Sequence, residues 1–73
     1  MKVKAIDTGK FVTVYTEGEG KMDAVLLEVV EDVCEVWYPH LQNDNGGVGS
    51  RNLVEASTIV SIGPPVAVHV PLF

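Results

Sequence analysis

Arg51, the only arginine in the chain, follows the glycine-rich stretch Asn45-Gly46-Gly47-Val48-Gly49-Ser50. Exposed backbone N–H groups beside a guanidinium suit an anion such as phosphate. The stretch lacks the lysine-plus-hydroxyl ending of a P-loop, and no helix follows it. It also fails as a calcium loop, because Leu41 stands where the first acid belongs and no glutamate closes it. The plain alternative is a hairpin loop in which Arg51 alone offers an anion contact. A second chemistry is base stacking by Phe11, Tyr15, Trp37 and Tyr38, since aromatic faces stack unpaired bases. Tyr15 and Trp37 are the pair to suspect, and Arg51 and Lys21 are the cations that a nucleic-acid surface would use. The same rings otherwise fill a core and a subunit interface. Cys34, His40 and His69 show no C-x-x-C or H-x-x-x-H spacing, so no metal site is expected. As a thiol nucleophile Cys34 sits in an apolar run, where a thiol is buried and inert. Glu31 and Asp32 are adjacent turn residues. No catalytic constellation and no cofactor are expected.

Positioning such residues falls to a small scaffold. Seventy-three residues allow one domain, and 47% hydrophobic with 21% charged residues is a globular composition. The net charge is −5, and residues 17–35 hold seven acids and one lysine. Nucleic-acid binders usually carry a basic stripe, and here only Lys2, Lys4 and Lys10 cluster. The uncharged run 59–73 is interrupted by prolines and falls short of the roughly 20 residues of a membrane span. Residues 1–10 carry no apolar signal-peptide segment. One cysteine forbids an internal disulfide, and a reducing cytoplasm is the expected compartment.

Richness in valine, isoleucine and threonine favours strands. Residues 2–7 read as a short strand or an extended arm. Residues 11–16, F-V-T-V-Y-T, are the clearest strand, closed by the turn Glu17-Gly18-Glu19-Gly20. Residues 22–38 carry two readings. Leu26, Val29, Val30, Val33 and Trp37 recur at helical spacing, whereas the valines favour a hairpin of residues 23–30 and 33–38 around Glu31-Asp32. Residues 41–52 read as a polar loop, followed by short strands 53–56 and 58–62 that Gly63-Pro64-Pro65 ends. Residues 66–73, V-A-V-H-V-P-L-F, are apolar on both faces. Five or six short strands in this length imply an all-β, strongly bent small barrel.

The order of elements resembles the Sm-like fold shared by Sm, LSm and Hfq proteins. Phe11-Val12-Thr13-Val14-Tyr15-Thr16-Glu17-Gly18 is similar to the family's first strand and glycine turn. Val54-Glu55-Ala56-Ser57-Thr58-Ile59-Val60-Ser61-Ile62 has the spacing of its second motif, with Gly63-Pro64 following. SH3-like barrels share such a near-terminal strand pair. The resemblance covers residues 11–64, the barrel core of a single domain 1–73, with a C-terminal strand or arm over 65–73. It departs at functional positions: Glu55 and Ala56 replace the basic residue and glycine of RNA-binding members, and Glu31-Asp32 replaces a loop bearing aspartate and asparagine.

The resemblance implies a non-enzymatic homo-oligomeric ring associated with single-stranded RNA. The alternative is a protein-binding scaffold or assembly module with an SH3-like barrel and no nucleic acid. Val66, Val68, Val70, Leu72 and Phe73 are the apolar surplus expected at the subunit interface, because pairing edge strands would bury them. A sixth strand closing the barrel internally is the other use for them.

Overall fold

The computed structural model of the protein describes residues 3–65. Its strands are β1 (Lys10–Thr16), β2 (Gly20–Val30), β3 (Val33–Gln42), β4 (Val48–Glu55) and β5 (Ile59–Pro65). Short 3-10 turns at Ala5–Asp7 and Ala56–Thr58 precede β1 and β5. All five strands are antiparallel in one sheet of order β4-β3-β2-β1-β5. Successive strands pair as a meander, and β5 returns to β1. The hairpin reading of residues 22–38 holds and the helical one fails: Val30 pairs Val33 across Glu31-Asp32. Neither turn residue is glycine, and Glu31 accepts a left-handed φ of 53° to make the turn.

Alternation along the strands builds the core. Val12 and Val14 of β1, Ala24 and Leu26 of β2, Cys34, Val36 and Tyr38 of β3, and Ile59 of β5 pack together, joined by Val3. Each fully buried aliphatic side chain contributes about 1.5–3 kcal/mol relative to exposure. Register shifts in the β1–β5, β2–β3 and β3–β4 ladders bend the sheet around this cluster. One of them spans Tyr38 to Gln42, where Pro39 has no N–H to give the ladder. The sheet nonetheless stays open. Among the described residues β4 and β5 lie at its two ends and do not pair, so the small, strongly bent all-β architecture is present as an open sheet and not a closed barrel.

Several boundaries differ from the sequence reading: β2 begins at Gly20 and not at residue 23, and β3 runs to Gln42 and not to residue 38. The polar loop is shorter than 41–52, because Val48, Ser50, Arg51 and Asn52 are in β4, paired with β3. Gly63-Pro64-Pro65 does not end β5, since Pro65 still partners Lys10. Proline is tolerated there because β5 is an edge strand. The anticipated sixth strand, and Val66, Val68, His69, Val70, Leu72 and Phe73, lie outside the described residues.

The segment before β1 is an arm, anchored by buried Val3 and by Gly9, whose N–H donates to the Leu26 carbonyl at 2.8 Å. Asp7 pins the arm. Its carboxylate accepts the Lys4 backbone N–H at 3.0 Å and the Lys10 ammonium at 3.1 Å. The Lys4 N–H, and then Lys10, hold the Asp7 carboxyl below the ordinary value of 3.8. With the folded pKa below the unfolded one, this stabilisation is present above about pH 4 and lost as pH falls through the folded value. Asp7→Asn is therefore expected to flatten the acid limb of stability. Urea unfolding at stepped pH, compared with the parent, measures it.

Candidate functional site

Cross-strand register sets the candidate residues in rows. Phe11 partners Val25, Val25 partners Trp37, and Trp37 partners Arg51, so these four form one row across β1 to β4. Tyr15 partners Lys21 near the β1–β2 turn. Arg51 and Trp37 are thus brought together, as are Tyr15 and Lys21. The two pairs do not meet: Tyr15 is four residues along β1 from Phe11, about 13 Å at the usual strand rise.

Electrostatics further define Arg51. Its guanidinium donates at 2.8 Å to both carboxylate oxygens of Glu35, the residue two before its partner Trp37. Any anion approaching Arg51 competes with Glu35. Lys21 is exposed, and Tyr15 is about half exposed. Trp37 is half-buried and lies against Gly49: a Cβ on Gly49 would sit 2.8 Å from indole Cζ2 and Nε1. Its buried indole N–H has no hydrogen-bond partner among the described residues. Contact with Gly49 takes ring surface that base stacking would use.

The glycine-rich loop is built around Asn43. Asn43 Oδ1 accepts the N–H groups of Asn45 and Gly47 at 2.9 and 3.0 Å, and its carbonyl accepts that of Gly46 at 3.1 Å. Asn43 Nδ2 donates to the Gly49 carbonyl at 3.1 Å, and Gln42 Nε2 donates to that of Gly46 at 3.3 Å. The amides that would cradle a phosphate are turned on the loop itself. The sequence signal for this was Asn43, whose short amide side chain readily bonds backbone two to four residues on.

Cys34 is fully buried, and desolvation pushes its thiol above the ordinary value. His40 is exposed, six strand residues further along β3. Burial, then Glu19, raises the Tyr38 hydroxyl. Among the described residues no group of three His, Cys, Asp or Glu side chains could hold a metal ion. No described helix is long and apolar enough to cross a membrane.

What the sequence reading missed lies at the β2–β3 turn. Exposed Val30 and Val33 flank Glu31-Asp32, and Leu53 of β4 stands opposite Glu35. The signal was present as valines on both sides of an acidic turn, but their exposure depends on which face the register turns outward.

No family model matches the chain, and no curated protein and no solved structure matches it either. The Sm-like resemblance therefore rests on the residues quoted for it.

Proposed function

We propose that the chain is a non-enzymatic, Sm-like module that assembles with copies of itself through its sheet edges. One observation carries this reading: among the described residues β4 and β5 are edge strands at opposite ends of an open sheet. Unpaired strand edges template pairing with another chain. Pairing of β4 of one copy with β5 of the next is head-to-tail and closes into a ring when the rotation per subunit allows. Val66, Val68, Val70, Leu72 and Phe73 follow β5 in the sequence and belong to the proposed interface. Buried, disulfide-free Cys34 suits a reducing cytoplasm.

The assembled particle serves as a protein-binding scaffold in the reading favoured by the geometry around Arg51. Its pairing with Glu35, the loop amides turned on Asn43 and the net charge of −5 all oppose phosphate. Single-stranded RNA is the partner the resemblance implies. The exposed Tyr15–Lys21 pair supports it, as a ring beside a cation is a stacking platform for a base. Native mass spectrometry, with and without a short uridine-rich RNA, tests both. A multi-subunit particle that refuses RNA is the expected result. Uptake of RNA, reduced by Tyr15→Ala and Lys21→Ala, would replace the scaffold reading with the RNA one, and a monomer would overturn self-assembly.

A further inference from the structure

Val30, Val33 and Leu53 are 58%, 42% and 72% exposed and lie together at one end of the sheet. Val30 and Val33 are cross-strand partners, and Leu53 is the partner of Glu35. With Glu28, Glu31 and Glu35 they line a shallow groove of about 380 Å³ at the β2–β3 turn. Glu55, the partner of Val33, extends the acidic rim. Of these acids Glu35 has Arg51. Glu28, Glu31 and Glu55 make no ion pair with a described residue.

Two costs coincide here. Aliphatic surface stays in water, and Glu28, Glu31 and Glu55 gather beside it without an ion pair to a described residue, Glu28 directly opposite the Arg51-paired Glu35. An occupant relieves both only if it brings apolar side chains and positive charge together. A nucleic acid brings the wrong sign, and an uncharged apolar segment leaves the acids uncompensated. We infer that this groove docks a basic segment of another polypeptide, in which lysine or arginine flanks two or three aliphatic side chains. The aliphatic groups settle on Val30, Val33 and Leu53, and the cations pair with Glu28, Glu31 and Glu55. Leu53 and Glu55 of this surface lie on β4, one of the two edges proposed for self-assembly, so docking and assembly need separate readouts.

The test titrates the full chain with a short synthetic leucine–lysine peptide and with its leucine–glutamate counterpart, followed by two-dimensional amide NMR. The expected result is binding of the lysine peptide alone, with shifts concentrated at residues 28–35 and 53–55. Val30→Ser and Leu53→Ser should each weaken it about tenfold, the scale of losing one buried aliphatic contact. Glu28→Gln combined with Glu31→Gln should weaken it and reduce its salt dependence. All these side chains are solvent-facing or half so, and retained amide dispersion verifies folding. Native mass spectrometry of the same variants separates docking from assembly, because Val30→Ser should leave the subunit number unchanged. Shifts scattered over the acidic surface, or unaltered affinity in Val30→Ser and Leu53→Ser, would overturn the proposal. So would loss of self-association in Val30→Ser, which would make a second copy the occupant.

Discussion

Leu26→Ala is expected to cost about 3–5 kcal/mol, the upper part of the range for a leucine truncated in a rigid core. Leu26 is completely buried, belongs to the central cluster and lies on β2, the middle strand of five. Neighbours from β1, β3 and the arm cannot all collapse into the void, and its own carbonyl holds the arm through Gly9. A domain of this size has a total stability of roughly 4–11 kcal/mol, so the variant should lose a large fraction of it and unfold at much lower denaturant. Chemical denaturation followed by far-ultraviolet circular dichroism measures it. Leu53→Ala is the comparison, because exposed Leu53 should change stability by less than about 0.5 kcal/mol. Equal costs at the two positions would mean that β2 or β4 pairs one residue out of register, which exchanges the faces of a strand.

Gly49→Ala should cost about 3 kcal/mol, from two sources that add at one atom. Gly49 has φ +106°, a conformation that L-residues rarely adopt, for about 1–2 kcal/mol. A methyl there would also press on the Trp37 indole at 2.8 Å, and overpacking adds about 1–3 kcal/mol. Trp37 is the only tryptophan, so its fluorescence reports the same event: displacement from Gly49 should shift emission to the red. Gly18→Ala is the control, since it has no neighbour within 4 Å and no positive φ. A Gly49→Ala protein with native emission and stability would refute the packing of Trp37 on β4.

Much of the core was legible from local pattern. F-V-T-V-Y-T alternates, and its Val12 and Val14 are buried as that alternation demands. The same period put Cys34, Val36 and Tyr38 on the covered face of β3. β4 was harder to read. Val48-Gly49-Ser50-Arg51-Asn52 has the composition of a loop, and it is a strand because the β3 ladder pairs it. β5 runs on through Pro64 and Pro65 for a related reason: an edge strand leaves one side without ladder bonds, so missing N–H groups cost it little.

The candidate site divided along the same line. Arg51, Tyr15, Trp37 and Lys21 could be singled out by residue type, and the acidic surplus by counting. Which of them meet could not. Arg51 reaches Glu35 sixteen positions earlier, and Trp37 reaches Gly49 twelve positions later. Both contacts follow from β3–β4 register. Most strands, the buried alternation and the excess of acids are readable from side-chain chemistry and a period of two residues, although residues 22–38 kept a helical alternative and β4 read as loop. Which described strands are edges, which cation a carboxylate holds and which valines remain in water emerge once the strands are paired. Those outcomes depend on ladder register and on the bulges that bend the sheet, set jointly by residues distant in the chain.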